Sequence, residues 1–293
     1  MSSKPGGADT FAAFARFERE FWDRTGPIYS EGFGPITSQT VPCLMRHLGL
    51  PPAAASAPTP ADAPGKAAAT LLDVACGPGF ITAALAGSGV TVVGVDLSTA
   101  MLRVARQLNP DARFEQADAE ALPFPDESFD AVSCNFGMLH FGDPPSAIAS
   151  AARVLRRGGR YAYAVWDTPD RNPALSIIMA AVKPYVAGTV MPEGPPYFHY
   201  ADRAVGQQAL ERVGLIDVTV EGVPMTWPIR SAATFLGYFR EGGARIGEVL
   251  RQLTAEAARQ VEADVDAALA GYGSPGDYTV PTAAVVFSGR KRG

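Results

Sequence analysis

The 293-residue sequence has few of the side chains that bind metals or form disulfides. It contains three cysteines and three histidines. Cys43, Cys76 and Cys134 are far apart in the chain and form neither a C-x-x-C motif nor another Cys/His ligand spacing. We therefore expect no disulfide framework and assign no metal-binding residues.

Basic runs and long apolar runs are also missing. The formal net charge is -5, the pI is about 5.3, and the lysines and arginines are scattered along the chain. Proteins that bind nucleic acid usually carry a clustered basic surface, so we expect no nucleic-acid partner. Residues 1–20 mix charged and apolar side chains, which does not fit a signal peptide or a membrane span. We expect a cytoplasmic protein with no membrane partner.

The N-terminal region, residues 1–49, is predicted to be a helical cap. Phe11, Phe14, Phe17 and Phe21 recur at spacings of three and four, which predicts a helix over residues 9–26 with one aromatic face. A second helix is predicted at residues 36–48. The aromatic face either joins the core or contacts a second copy of the chain, so a homodimer stays open.

A Pro/Ala-rich linker is predicted at residues 50–69, and one domain is predicted from residue 70 to residue 293. In this domain short apolar runs alternate with helical stretches, which is typical of parallel strands joined by crossover helices. The pattern predicts an α/β fold with a Rossmann-like, doubly wound, seven-stranded sheet whose last strand is antiparallel. Residues 167–200 and 229–275 fall outside this alternation, and we interpret them as lid insertions over the carboxyl edge of the sheet.

A glycine turn follows the first strand of this domain. Gly77 and Gly79 lie where a backbone must approach a ligand, but a dinucleotide fingerprint would have a third glycine where Thr82 stands. Asp96 ends the second strand about twenty residues later, where a carboxylate can accept both hydroxyl hydrogens of a ribose. Asp118, with Ala119 beside it, is placed to meet an adenine. Adenosine without phosphate is the simplest ligand, and an NAD-dependent oxidoreductase is the competing hypothesis.

Four segments in order resemble the class I S-adenosylmethionine-dependent methyltransferases, in the UbiE-like, small-molecule subgroup. LLDVACGPGF resembles the glycine motif of that family, and VVGVDLSTAMLRVAR resembles its second-strand acidic motif. ADAEALPFPDESFDAV is similar to the adenine and fourth-strand segment, and SAARVLRRGGRYAYAVW to the stretch leading into the fifth strand. The close resemblance covers about residues 70–166, and it implies S-adenosylmethionine as the cofactor.

The resemblance also implies a set of cofactor-binding residues. In this set the glycine turn lines the methionine part of the ligand. Asp96 and Leu97 line the ribose, and Asp118 and Ala119 line the adenine. We add Tyr29, which could close over the methionine carboxylate but could equally be a surface tyrosine in a loop. The full set is Asp73, Ala75, Cys76, Gly77, Gly79, Asp96, Leu97, Met101, Asp118, Ala119, Asn135 and Tyr29.

One departure from the family pattern bears on the acceptor. Quinone C-methyltransferases of the UbiE type resemble one another in a G-x-R-N segment after the fourth strand. This chain has Gly137, Met138, Leu139 and His140 there, which argues against a quinone acceptor. A second departure, Ala75 in place of a glycine, is common in this subgroup.

The predicted function is methyl transfer from S-adenosylmethionine to a small, apolar or aromatic acceptor, with the methylated atom undetermined. Methyl transfer from a sulfonium needs alignment more than a covalent intermediate, so a base is optional. His140 and His199 are the candidates for a catalytic base, and a capping or orienting role is the alternative for His140. A second hypothesis is a protein of the same fold that binds S-adenosylmethionine for a regulatory or non-methylating role.

The aromatic segments of the insertions are predicted to supply the acceptor pocket. Pro195 and Pro196 stiffen a segment that carries several aromatic side chains, and acceptor pockets are mainly apolar. The predicted substrate-binding residues are Tyr197, Phe198, Tyr200 and Trp227. Packing of these side chains among themselves is the alternative.

Overall fold

The computed structural model describes residues 11–50 and 69–293. Residues 51–68, which hold nearly all of the predicted linker, lie outside the described residues. The helices are α1 Ala12–Gly32, α2 Gly34–Thr37, α3 Val41–Leu48, α4 Phe80–Ala84, α5 Thr99–Leu108, α6 Pro144–Val154, α7 Pro173–Val186, α8 Arg203–Arg212, α9 Ala232–Gly242, α10 Ala244–Arg251 and α11 Ala255–Leu269. The strands are β1 Thr70–Val74, β2 Thr91–Asp96, β3 Arg113–Gln116, β4 Phe129–Asn135, β5 Leu155–Trp166, β6 Leu215–Ile229, β7 Gly273–Ser274 and β8 Asp277–Lys291.

The strands form one sheet in the order β3-β2-β1-β4-β5-β8-β6. Strands β1 to β5 are parallel, and β8 runs antiparallel to β5 and to β6. The predicted doubly wound α/β fold with an antiparallel last strand is therefore confirmed. The structure adds the two-residue strand β7, which pairs with the start of β8 and was not predicted.

Both faces of the sheet are covered, because apolar side chains alternate along each central strand. On β1, Leu71 belongs to the core that includes α3, α7 and α9, whereas Leu72 belongs to the opposite core with α6 and α8. Both leucines are fully buried. Strands buried on both faces are expected where helices connect parallel strands.

Two helices begin at a cap residue followed by proline, a pattern that is visible in the sequence. Asp143 accepts a hydrogen bond from the backbone of Ser146 at the start of α6, and Asn172 accepts one from Leu175 at the start of α7. Proline at the first helical position costs nothing there, since that N–H has no intrahelical partner. Asn172 also bonds to the carbonyl of Ala283 on β8. The same residue therefore starts the helix and fixes it to the sheet.

The two predicted N-terminal helices are present. Helix α1 covers the first and runs to Gly32, six residues further than predicted, and α2 and α3 cover the second. Phe14 and Phe21 on α1 are buried, and the helix packs on α5 and α9. For these two phenylalanines the aromatic face belongs to the chain's own core.

The two stretches that fall outside the strand alternation contain helices. Residues 167–200 contain α7, and residues 229–275 contain α9, α10 and α11. Helices α9 and α10 pack on α1, and α11 packs on α7. Every helix in residues 11–50 and 69–293 is too short or too polar to cross a bilayer.

Two helical glycines give a matched test of the packing. A Cβ on Gly206 of α8 would lie 2.5 Å from Phe287 Cζ and 2.7 Å from the Tyr163 hydroxyl, whereas a Cβ on Gly237 of α9 would meet no atom within 4 Å. We expect Gly206→Ala to lower the free energy of unfolding by about 1–3 kcal/mol through overpacking. We expect Gly237→Ala to raise it by up to about 1 kcal/mol through helix propensity. Chemical denaturation measures both, and equal effects would contradict the described packing of α8 on the sheet.

Candidate active site

A cavity lies at the carboxyl ends of β1, β2 and β4, where open α/β sheets bind their ligands. Its empty space, open solvent included, is about 920 Å³. Its floor comes from the turn after β1 and from the ends of β2 and β4. Its roof comes from α1.

The turn after β1 presents backbone to the cavity. Ala75 and Gly77 have φ angles of 53° and 51°, in the left-handed region. A Cβ on Gly77 would meet no atom within 4 Å, so the space beside this glycine is open. The Gly77 N–H donates to Asp96 Oδ2 at 2.9 Å, which ties the turn to the end of β2.

Asp96 is the acidic group on the cavity floor. Its Oδ1 accepts a hydrogen bond from the Ser98 N–H at 2.9 Å, and its Oδ2 accepts the one from Gly77. Each carboxylate oxygen can accept a second hydrogen bond, so the two hydroxyls of a ribose fit here. Burial raises the pKa of Asp96, and the two backbone N–H groups oppose that rise.

Nine of the twelve predicted cofactor-binding residues line this cavity. Asp118 lies at its far end, where Oδ1 accepts a hydrogen bond from the Glu120 N–H at 2.9 Å. Tyr29 lies in α1 rather than in a loop, and burial raises the pKa of its hydroxyl to about 12. The nine are Tyr29, Ala75, Gly77, Asp96, Leu97, Met101, Asp118, Ala119 and Asn135.

Asp73, Cys76 and Gly79 are placed beside the cavity but do not line it. Asp73 is buried within the sheet and accepts a hydrogen bond from Ser133 Oγ at 2.8 Å. Cys76 is also buried, and burial raises the pKa of its thiol. Gly79 has a φ of 83°, and a Cβ there would lie 3.1 Å from Phe114 Cζ, so this glycine serves close packing.

Asn135 ties the roof to the sheet. Its Oδ1 accepts a hydrogen bond from Thr40 Oγ1 at 2.8 Å, and its Nδ2 donates to the Thr37 carbonyl at 3.1 Å. Because both partners lie at the junction of α2 and α3, the end of β4 and the N-terminal helices are fixed to each other.

Helix α1 contributes a buried acid that our sequence analysis missed. Glu18 is 3% exposed, and its Oε2 accepts hydrogen bonds from Trp22 Nε1 at 3.0 Å and from His140 Nδ1 at 2.9 Å. The signal was present in the sequence, since Glu18 lies four residues after Phe14 and three before Phe21 on the same helix face. An acid inside an aromatic stripe indicates a buried partner.

A second, smaller space adjoins the cavity, and we call it the aromatic chamber. It encloses about 440 Å³. Glu18, Trp22, Tyr29, Phe136 and His140 line both spaces, so these side chains stand at their junction. The other walls of the aromatic chamber are Phe33, Leu139, Trp166, Tyr197, Phe239, Gly242, Gly243, Ala244, Arg245 and Ile246.

Arg245 is the one cation on the described walls of the aromatic chamber. Its Nη1 donates to the Pro195 carbonyl at 2.6 Å, and its Nη2 donates to the Leu139 carbonyl at 3.0 Å. The guanidinium lies 4.3 Å from the centre of the Phe14 ring. It therefore links α10 to the segment that carries Tyr197 and to the turn that carries His140.

The predicted acceptor residues separate into two groups. Tyr197 lines the aromatic chamber, and His140 stands at its junction with the cavity. His199 is exposed and packs edge-on against Tyr200, and neither residue lines the two spaces. Phe198 packs against Tyr197, and Trp227 is buried between Phe33 and Phe235. These four side chains are thus packed against other aromatic side chains, and their roles in binding or catalysis stay predictions.

A cluster of Cys43, His47 and Glu221 lies apart from the cavity. Their potential ligand atoms fall within 4.8 Å of one another. Arg46 and His47 already bind the two carboxylate oxygens of Glu221, at 2.7 and 2.9 Å. Burial raises the pKa of the Cys43 thiol to about 11, and a protonated thiol is a poor metal ligand. These contacts favour a structural role, and the absence of a metal site stays a prediction.

The sheet order and the position of the cavity are those of a Rossmann-like α/β fold with a ligand cavity at the carboxyl edge of its strands. The family model described as "Methyltransferase domain" matches residues 72–163. The demethylmenaquinone methyltransferase of Renibacterium salmoninarum is 41% identical over 103 residues, 35% of this chain and 44% of that protein. The ubiquinone/menaquinone biosynthesis C-methyltransferase UbiE of Hahella chejuensis is 40% identical over 120 residues, 38% of this chain and 48% of that protein.

Solved structures agree on the fold. A candidate methyltransferase of Bacillus halodurans superposes with a TM-score of 0.54 at 20% identity, over 86% of this chain and 99% of that one. Residues 72–163 thus match a methyltransferase domain, as the motifs predicted, and the curated relatives named above are methyltransferases of the UbiE type. This chain spans about half the length of the curated relatives it matches.

Asp73 provides a test of the described burial. Burial raises its pKa to about 7, with the Ser133 hydrogen bond opposing the rise. Between about pH 4 and 7 the folded protein binds a proton that the unfolded chain has lost, so the free energy of unfolding falls as the pH rises. We expect Asp73→Asn, which cannot ionise, to lose less stability than wild type between about pH 5 and 8. Thermal unfolding across that range measures this, and parallel curves for the two proteins would contradict it.

Proposed function

We propose that this protein transfers the methyl group of S-adenosylmethionine to a small, apolar or aromatic acceptor. The observation that carries the proposal is the junction of the two spaces. The cavity offers a ribose-binding carboxylate and an open glycine turn, and the aromatic chamber opens beside it at His140. A donor in the first and an acceptor in the second would meet at this junction.

The residues present fit S-adenosylmethionine. Asp96 has free acceptor sites for two hydroxyls, Asp118 and Ala119 lie where an adenine edge would be, and the turn at Gly77 leaves room for the methionine part. A dinucleotide fingerprint would have a third glycine after the β1 turn, and Thr82 stands there instead. This favours S-adenosylmethionine over the NAD hypothesis.

The quinone acceptors that the names of the relatives indicate are one candidate class of acceptor for this protein. Those proteins are named for menaquinone and ubiquinone biosynthesis, but the match to them covers 35% and 38% of this chain. The segment after β4 lacks the G-x-R-N pattern of that subgroup, and His140 stands there instead. We therefore place a demethylated quinone in the acceptor panel, beside other small aromatic compounds.

Two further parts of the proposal concern organisation and setting. Residues 1–49, together with the helices of residues 167–200 and 229–275, act as a cap and lid over the carboxyl edge, since α1, α9 and α10 pack together beside the aromatic chamber. The protein works in the cytoplasm on a small molecule and without nucleic acid, in line with its net charge of -5.

Asp96→Ala is expected to weaken S-adenosylmethionine binding about tenfold or more. Two buried hydroxyls would lose a charged acceptor, and hydrogen bonds to charged groups contribute about 1.5–3 kcal/mol. Isothermal titration measures the affinity. Asp170→Ala, at an exposed aspartate outside the cavity, is the matched control and should bind like wild type. Unchanged affinity in a folded Asp96→Ala variant would remove Asp96 from the site, and absence of methyl transfer to every acceptor in the panel would support the regulatory alternative.

Tyr197→Ala and Tyr200→Ala form a matched pair for the acceptor site. Tyr197 lines the aromatic chamber, whereas Tyr200 packs on the opposite side of the sheet with the core around α6 and α8. We expect Tyr197→Ala to raise the acceptor KM about tenfold and to leave S-adenosylmethionine affinity within a few-fold. Tyr200→Ala should change thermal stability alone. Equal kinetic effects of both substitutions would show that the aromatic chamber does not select the acceptor.

A further inference from the structure

The junction of the two spaces contains a buried charged cluster that a nucleoside pocket does not require. Glu18 is 3% exposed in an aromatic wall, where an unpaired carboxylate is costly. Its Oε2 accepts two hydrogen bonds, whereas Oε1 lies 3.8 Å from Arg245 Nε. In the described part of the chain neither Oε1 nor that Nε has a hydrogen-bond partner. The cluster thus combines one carboxylate and one guanidinium. Oε1 and Nε can each still form a hydrogen bond at the aromatic chamber.

The contact with Glu18 decides which nitrogen of His140 is protonated. An ionised carboxylate only accepts hydrogen bonds, so Nδ1 of His140 must donate to Oε2. A neutral His140 then has its lone pair on Nε2. No partner for Nε2 is found among residues 11–50 and 69–293, and the side chain is 23% exposed at the junction. A carboxylate behind an imidazole fixes tautomer and orientation in the same way in hydrolytic triads.

We propose that Glu18 is a positioning residue that holds His140 ready to accept a proton, and that the aromatic chamber binds a planar hydroxyaromatic acceptor. The proposal rests on the proposed function, because it names the acceptor class of that site. The sequence named His140 as a candidate base, whereas the positioning role of Glu18 and the acceptor class come from the structure.

The shape and charge of the aromatic chamber favour a neutral hydroxyaromatic compound. Its walls are rings, among them Phe33, Trp166 and Phe239, which suit a flat apolar molecule. Glu18 and Arg245 balance each other, so the cluster gives no net attraction to an ammonium or a carboxylate on the acceptor. A hydroxyl at the junction would instead donate to Nε2 of His140.

The step balances without a further reactant. The acceptor oxygen loses its proton to His140 Nε2 and forms a bond to the methyl carbon, while the bond from that carbon to sulfur breaks and its electrons stay on sulfur. The products are a methyl ether and S-adenosylhomocysteine, and the protonated imidazole releases its proton to water. General-base assistance of this kind contributes about 10²–10⁴ in rate.

The charged and titratable groups around His140 come from several elements. Besides its partner Glu18, the two spaces that His140 lines are also lined by Arg245 on α10, Arg19 and Tyr29 on α1, Asp96 at the end of β2, Asp118 and Glu120 after β3, and Tyr197 before α8.

The first experiment measures the tautomer of His140 without any cofactor. The chain has three histidines, so long-range ¹⁵N–¹H NMR spectra can be assigned with single substitutions. In wild type we expect the signature of a proton on Nδ1. In Glu18→Ala and, to a smaller extent, in Glu18→Gln, we expect a mixture of both tautomers. Glu20→Ala, an exposed position on the same helix, is the control and should keep the wild-type spectrum. An unchanged tautomer in both Glu18 variants would overturn the positioning role.

The second experiment tests the acceptor class with 2-naphthol and naphthalene. Quenching of tryptophan fluorescence should show binding of 2-naphthol without cofactor, and weaker binding of naphthalene. With S-adenosylmethionine, wild type should yield 2-methoxynaphthalene. Glu18→Ala should lower kcat at least tenfold with KM within about threefold, and His140→Gln should do the same.

The double variant should be no slower than His140→Gln alone, because Glu18 acts through His140. Independent losses from the two substitutions would overturn that link, and a ring-methylated product would overturn oxygen as the methylated atom. If S-adenosylmethionine binds but 2-naphthol neither binds nor reacts, the acceptor class is wrong while the proposed function stands. If S-adenosylmethionine itself fails to bind, the proposed function is wrong, and the tautomer experiment still decides the role of Glu18.

Discussion

Two hydrogen bonds fasten α1 to the beginning of α5, and the roof of the cavity depends on them. Ser98 Oγ donates to the carbonyl of Trp22 at 3.0 Å, and the Thr99 N–H donates to Asp23 Oδ1 at 2.9 Å. The second bond places a carboxylate at the N-terminus of α5, where the helix dipole favours negative charge. Because Ser98 follows Asp96 by two residues, the same short segment holds the floor and the roof of the cavity together.

Because of this arrangement, helix α1 places side chains at the candidate active site. An open α/β sheet leaves the carboxyl ends of its strands facing solvent, and a methyl donor there would be exposed to water. Helix α1 covers that edge with Trp22 and Tyr29, and it brings Glu18 to His140 on the turn after β4. One helix thus supplies both the cover over the strand ends and the carboxylate of the polar cluster.

The cavity and the aromatic chamber are built from different parts of the fold. Backbone and carboxylates at the ends of β1 and β2 form the first, so it depends on residues that the fold holds rigidly. Aromatic side chains from α1, β5 and α9, and from the segments that follow α1, follow β4 and precede α8, form the second, and they meet only through tertiary packing. Differences in acceptor among proteins of this fold can therefore arise without any change in the glycine turn.

Local periodicity and spacing along the chain were enough to predict the alternation of strands and helices, the glycine turn and the carboxylates at Asp96 and Asp118. Periodicity also predicted the aromatic face of α1. The contact of Glu18 with His140, 122 residues away, arises from the packing of distant elements, as does the position of Tyr197 at the aromatic chamber, which Tyr200 and Trp227 do not line. The structure also shows that Asp73, Cys76 and Gly79 lie beside the cavity and do not line it, and their cofactor-binding roles stay predictions. Local pattern specifies which face of an element is buried, but the partner on that face depends on how distant elements cross.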